Sequence, residues 1–283
     1  MRTRASSVMQ PPGLSNVDLA VAAAAHASSA TVPPDPDKVR RHPFVLAAGS
    51  YLAIRRAVGV LGLGLPLFLF LAERWLDGSV ELRGSLSAYY HSGARDIFVG
   101  TLCIVGFLLM RYLFGDRGSV EFWLSAVAGL MCVGVALVPT QRPGASDDAD
   151  CADVVGVPAC SPLQQTLGEG TAEAIHFISA VTFILALGAL CFVTAYQLHR
   201  RSRELREPLS PTGRWMARFH AACGATIVVG VAWAVGLKVD LAIGDFQSLW
   251  VGEVVSVIAF ALSWLVSGYD LQRLLGALEQ RVP

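Results

Sequence analysis

The sequence predicts an all-α polytopic membrane protein, a bundle of six transmembrane helices with its N- and C-termini in the cytoplasm. Three observations carry that expectation. Six apolar stretches are each long enough to cross a hydrocarbon core of roughly 30 Å as a helix, which satisfies its own backbone there. No stretch alternates polar and apolar residues with a period of two, so a transmembrane barrel is not expected. The connections also divide the basic residues unequally. With the N-terminus inside, seventeen Lys and Arg fall on the inner side and Arg74, Arg83, Arg95, Arg142 and Lys238 on the outer, together the chain's 22, which sets the orientation. Bulk composition agrees. Hydrophobic residues make up 54% of the 283-residue chain and charged residues 16%, against about a quarter charged in soluble domains. A formal net charge of zero argues against a nucleic-acid partner, which calls for a basic surface.

The elements follow in order. Residues 1–45 mix Pro, Ser and Ala with no stripe long enough to pack, as in "MQPPGLSNVDLAVAAAAHASSATVPPDPDK", and read as a flexible cytoplasmic tail. The Ala-rich centre resembles a signal-peptide core, but Pro11, Pro12 and Gly13 ahead of it and the lack of long aliphatics argue against cleavage. The transmembrane domain covers residues 46–270, with spans near 57–75, 96–114, 122–139, 172–198, 216–237 and 247–268. In the first span Pro66 is expected to kink the helix, while Gly59, Gly62 and Gly64 permit close helix contact. An acidic extracytoplasmic loop occupies 140–170, and residues 271–283 form a cytoplasmic tail. The basic run from His199 to Arg218 sets topology and is placed to touch anionic lipid, and His220 beyond it is expected to snorkel to the interface.

Six cysteines divide by location. Cys103, Cys132, Cys191 and Cys223 lie in the spans and read as small buried apolar residues. Cys151 and Cys160 share the extracytoplasmic loop, where an oxidising compartment favours a disulfide. A metal-binding pair is the alternative, though no third or fourth thiol is near.

The polar residues gather at one surface. Spans two, four and six all run inward from the outer face, so their N-terminal ends meet there. Span two enters through "SLSAYYHSGARD", with Ser87, Tyr90, His91, Arg95 and Asp96; span four opens with Glu173 and His176, three apart and so on one face; span six opens with Glu253 one to two turns in. A carboxylate inside a span costs a few kcal/mol, so Glu253 should face the bundle interior or a wet cavity beside His91, Arg95 or His176. Three helix N-termini with Arg95 alongside suit an anion, and at a membrane surface the commonest anion is a lipid phosphate. Tyr89 is expected in the interfacial aromatic belt; Tyr90 divides evenly between belt and site.

No cofactor is expected. The alternative is a metal held by His91, His176 and Glu173, a nitrogen and oxygen set that suits zinc. Ser87-x3-His91 resembles an element of the membrane ceramidase and adiponectin-receptor superfamily, but the histidine pair that family carries in its last helix is missing from 247–268. No Walker loop, nucleophile elbow or Cys-x-x-Cys occurs.

The layout as a whole resembles the Frag1/DRAM/Sfk1 family of six-span membrane proteins, or a bacterial membrane family of similar layout. The resemblance rests on a serine-containing motif before span two, "MRY" at that span's end, "AIHFISAVTFILALGALCFVTAYQ" in span four and "WVGEVVSVIAFALSWL" in span six, and covers roughly 49–270. This chain has "SLSAYYHSGARD" where that family carries an Ile-Ser-Asp type sequence with prolines. The resemblance implies lipid handling, with Ser87, His176 and Glu253 carried over by position.

The leading reading is therefore a plasma-membrane protein whose partners are membrane lipids and, where it assembles, other membrane proteins. It would bind a lipid headgroup or small anion through Arg95 and the helix N-termini, over a polar floor of His91, Glu173, His176 and Glu253. A lipid hydrolase or transferase, metal-dependent or with a histidine as general base, is the alternative. A transporter or a structural subunit is a further one, although carriers place charge near mid-depth and these spans are apolar there.

Overall fold

The computed structural model describes residues 43–76, 78, 82–112, 118–145, 150, 151, 153, 155–204, 206, 208–236 and 248–280. Except for Pro43–Val45, the expected N-terminal tail lies outside them, as do 281–283 and the connection 237–247. Seven α-helices account for most of the described residues, and no strand occurs among them. They are α1 (Pro43–Leu76), α2 (Arg95–Arg111), α3 (Val120–Leu137), α4 (Pro162–Leu167), α5 (Glu169–Glu204), α6 (Pro211–Gly236) and α7 (Ser248–Gln280). A 3-10 turn, Ser87–His91, precedes α2.

Local chemistry sets several of these boundaries. Ser119 caps α3, its hydroxyl accepting the Phe122 N–H at 3.1 Å. Ser161 and Gln164 form a reciprocal capping box at α4, with Pro162 as its first residue. Gly168 then breaks the chain between α4 and α5 at φ +82°, a backbone region that side chains rarely enter. Ser210 accepts the Gly213 N–H at 3.0 Å ahead of α6.

Five helical segments are long and apolar enough to cross a membrane: Gly49–Leu76, Val120–Leu137, Glu169–Glu204, Pro211–Trp233 and Leu249–Tyr269. They match the expected spans one, three, four, five and six. Span two corresponds to α2, which at 17 residues is one residue shorter than the shortest of these. Two helices outrun expectation. α1 begins fourteen residues before Ala57, so Arg55 and Arg56 lie within it, and α7 continues through 271–280, where a tail was expected. α1 also runs on through Pro66.

Six helices close a ring. α1 packs on α2, α2 on α3, α3 on α5, α5 on α6, α6 on α7, and α7 back on α1. Neighbours run antiparallel, as the contacting pairs Leu102–Cys132 and Leu109–Ser125 show for α2 and α3. The starts of α2, α5 and α7 consequently share one end of the bundle, here the disulfide end, and the start of α1 meets the ends of α2 and α7 at the other. The interior holds Leu69, Phe98, Leu109, Cys132, Leu190, Ile227 and Trp264. Apolar side chains also face outward on every side, among them Val60, Phe107, Trp123, Ile178 and Val229. Apolar surface on this scale suits hydrocarbon rather than water.

Without a hydrophobic drive between helices in lipid, packing rests on close approach. Gly59 faces Leu265 and Gly62 faces Ala261 across the α1–α7 contact, as their spacing suggested. The α2–α3 contact is tighter still: a Cβ on Gly129 would lie 2.5 Å from the Gly106 carbonyl oxygen and 2.8 Å from the Met110 nitrogen. Two expectations are corrected here. Tyr89 is buried rather than interfacial, because the turn that carries it folds into the bundle. His220 is buried and hydrogen-bonded to Ser263 at 2.8 Å, so it does not snorkel.

Because backbone atoms block any added carbon at Gly129, Gly129→Ala is expected to destabilise the protein by about 1–3 kcal/mol. Gly100→Ala, where a Cβ meets nothing within 4 Å, should be neutral. Thermal unfolding of the two variants in the same detergent checks this.

Candidate functional site

The disulfide end is built around carbonyls and carboxylates that need partners. Where α3 ends, the Val138 and Thr140 carbonyls have no further helix to accept hydrogen bonds from. His176 Nδ1, from α5, donates to Val138 O at 2.6 Å. His91 Nε2 and Gln164 Nε2 both donate to Thr140 O, at 2.8 and 3.1 Å. A carbonyl only accepts, so each imidazole carries its proton on the bonded nitrogen. The other nitrogen of His176, Nε2, is then an acceptor, without a partner among the described residues.

Glu253 is bound by the turn ahead of α2. Leu86 N–H donates to its Oε2 at 2.6 Å and the Ser85 hydroxyl to its Oε1 at 3.2 Å. Ser85 Oγ in turn accepts the Ser87 N–H at 2.9 Å, which holds the turn in register. The sequence argument asked which cation would partner Glu253; the partner is backbone and hydroxyl instead.

Between these groups lies a cavity of about 120 Å³. Its polar lining is Ser85, Ser87, Thr140, Glu173, His176, Glu253 and Ser256; Phe177, Val181, Ile184, Val231 and Leu249 form much of the apolar wall. Glu173 makes no hydrogen bond or ion pair among the described residues. Four residues singled out from sequence, Ser87, Glu173, His176 and Glu253, therefore converge on one space. The other four do not line it. Arg95 donates from Nη2 to the Tyr90 hydroxyl at 2.8 Å and lies 4.4 Å over that ring. Asp96 is exposed in the first turn of α2, where a negative charge suits the helix dipole. His91 is committed to Thr140 and meets the Tyr90 ring edge at 5.3 Å.

Metal donors do not gather as the alternative reading required. Among the described residues, one set of three donors lies within 4.8 Å: Cys151, Cys160 and Glu169. His91, His176 and Glu173 form no such group. The two sulfurs of that set are joined to each other, since Cys151–Cys160 is a disulfide. Glu169 is likewise engaged. It receives Arg142 Nη2 at 2.9 Å, Arg142 Nε at 3.1 Å and the Arg142 backbone N–H at 2.8 Å, and its own N–H donates to Asp150 Oδ1 at 3.0 Å. Arg142 Nη1 also donates to Pro158 O at 3.1 Å. This buried pair ties the disulfide loop to the start of α5. Sequence reading missed it, because Arg142 counted there only as an outer charge and Glu169 as part of an acidic loop. Their separation of 27 residues leaves no periodic signal.

Two outcomes follow. Breaking a buried pair leaves an uncompensated charge, so Arg142→Ala should cost about 3–5 kcal/mol, and the Arg142→Ala/Glu169→Ala double variant less than the summed single losses; unfolding midpoints of the three report it. Burial holds the His91 imidazole below its ordinary value, against the Thr140 hydrogen bond, which raises it. A depressed histidine means the unfolded chain takes up more protons below its usual pKa of about 6.5. The stability tied to neutral His91 is thus fully present above that pH and is lost as pH falls through it toward the folded value. The drop in unfolding midpoint between pH 7.5 and pH 5.5 should be smaller in His91→Asn than in the natural chain.

No family model, curated protein or solved structure matches this chain.

Proposed function

We propose that the chain is a six-span protein of the plasma membrane, with α2 as its second span and both termini cytoplasmic, that binds a lipid headgroup in the cavity at its extracytoplasmic end. The observation that carries the reading is the convergence of Ser87, Glu173, His176 and Glu253, from three separate elements, on a space lined by both polar and apolar side chains. A polar floor against an apolar wall is the form of a lipid at the membrane interface, headgroup on one side and chain on the other. The basic asymmetry of the connections supports the orientation, and a disulfide beside the cavity fits an oxidising compartment. The resemblance to the Frag1/DRAM/Sfk1 family points the same way, toward lipid handling.

The lining modifies the ligand. Among the described residues no Lys or Arg contributes to it, whereas two carboxylates, His176 and four hydroxyls do. The carboxylates and the His176 lone pair accept and the hydroxyls can accept as well as donate, so the headgroup that fits carries a positive or hydrogen-donating end, such as the ammonium of an aminophospholipid. Arg95, the phosphate ligand expected from sequence, is engaged with Tyr90. A second reading, lipid hydrolysis or headgroup transfer, rests on His176: Val138 fixes its tautomer and leaves Nε2 facing the cavity as a candidate base.

Glu173 has no structural bond to lose, which makes it the cleanest probe. Glu173→Gln in nanodiscs is expected to bind phosphatidylethanolamine roughly tenfold more weakly, the loss of one charge-assisted hydrogen bond, while Arg95→Ala binds as the natural chain does. Mass spectrometry of retained lipid measures both, and headgroup release during incubation separates turnover from binding. Equal retention by Glu173→Gln and His176→Ala would remove the cavity as a lipid site.

A further inference from the structure

The opposite end of the bundle holds a second polar cluster. It lies eleven residues along α7 from Glu253, about 17 Å at the helical rise. At its centre is Arg55, only 5% exposed although it sits inside a helix long and apolar enough to span. Its stem packs on Gly268, whose added Cβ would lie 3.6 Å from the Arg55 Cβ. Three rings enclose the guanidinium: its central carbon lies 4.6 Å from the Trp264 centroid and 5.1 Å from those of Tyr51 and Tyr112. Nε donates to the Tyr112 hydroxyl and Nη2 to the Tyr51 hydroxyl, the latter at 3.1 Å.

The cluster is incomplete in one specific way. Among the described residues Arg55 Nη1 is buried and has no acceptor, and the indole Nε1 of Trp264, the ring nearest the guanidinium, is also buried without one. No carboxylate pairs with Arg55 among the described residues. Arginine keeps its proton in any protein setting, so the site carries a full positive charge and two spare donors, with no carboxylate bonded to it among the described residues. Cation–π contacts offset part of the desolvation, but they satisfy no N–H. Had the residue served only to brace the rings, a carboxylate or carbonyl would be expected on the remaining donor, as for Arg142 at the other end.

We propose that Arg55 and Trp264 form a phosphoryl-binding site, with a phosphate oxygen accepting from Arg55 Nη1 and Trp264 Nε1. The planar fork of arginine matches phosphate geometry. Tyr51 is the one ring of the three that is only half-buried, so it marks the side from which a ligand enters. The phosphoryl group belongs to a membrane phospholipid of the facing leaflet or to a free phosphate; both present the same oxygens. This site does not depend on the cavity reading above, since it shares no residue with that lining.

The test is binding to the full-length protein in detergent, with dioctanoyl phosphatidic acid and inorganic phosphate as separate probes. Arg55→Lys keeps the charge without the fork, and Trp264→Phe keeps a ring without the donor. Both are expected to weaken phosphatidic acid binding roughly tenfold or more, with Gly100→Ala unchanged. Competition by inorganic phosphate assigns the site to the phosphoryl group alone; binding of lipid without such competition assigns it to phospholipid. Trp264→Phe, the milder change, with an unfolding midpoint like that of the natural chain, shows that a loss is not misfolding. The proposal is overturned if the natural chain binds neither probe, if both variants bind as it does, or if Glu173→Gln alone loses the lipid.

Discussion

Glu253 sits in a helix that is otherwise built to face oil, and its carboxylate is held by the backbone of a segment 167 residues away. In hydrocarbon an unpaired carboxylate costs several kcal/mol, so this contact constrains everything near it. It draws the turn Ser87–His91 and the residues before it inward beneath α7. Since that segment joins α1 to α2, the contact helps close the ring at the disulfide end. The same geometry buries Tyr89 and leaves the Ser85 and Ser87 side chains facing the cavity. A polar stretch ahead of a span is therefore an internal strap with one face on the cavity, rather than an interfacial fringe.

How much of this is legible in the sequence depends on the range of the interaction. Apolar length and period identify the helices, because a span must satisfy its own backbone within one segment. Antiparallel order then brings the starts of α2, α5 and α7 together, and with them Glu173, His176 and Glu253. Cys151 and Cys160 are legible for the same reason: they are nine residues apart in one loop. What sequence does not reveal is pairing across long separations. His91 and Arg95 stand beside Ser87 in the chain, yet their side chains go to Thr140 and Tyr90 instead of the cavity. Arg55 looked like a topology signal because it stands next to Arg56 at the edge of an apolar run. In the structure it is enclosed by rings from α1, α7 and the end of α2, and no local pattern encodes that cage.

The expectation of an anion at the disulfide end rested on free N–H groups at three helix starts. At two of those starts, α2 and α5, part of the donor set has partners: the Glu169 N–H donates to Asp150, the Ala172 N–H to Gly168 O, the Ala94 N–H to the Ser92 hydroxyl and the Arg95 N–H to Ser92 O. Capping consumes the donors that would make a helix start attractive to phosphate. The described lining of the cavity holds carboxylates, an imidazole and hydroxyls, which is why the proposed ligand carries a positive or donating end.

The two ends of the bundle are in this respect complementary. Among the described residues, the cavity at one end is lined by carboxylates without a cation, the cluster at the other holds a guanidinium without a paired carboxylate, and the interior between them is filled by Leu, Val, Phe and Ala. A charge pair this far apart gains little from mutual attraction, even with low-dielectric material between. Had the chain needed only internal stability, moving Arg55 and Glu253 to one level would have let each neutralise the other, as Arg142 and Glu169 do. Keeping them apart leaves two sites of opposite character, one near each membrane surface. A phospholipid with a cationic headgroup carries both of the chemistries proposed for these sites, an ammonium and a phosphate. Yet one headgroup is far too short to join them across the bundle, so on the two proposals each site would take its own molecule.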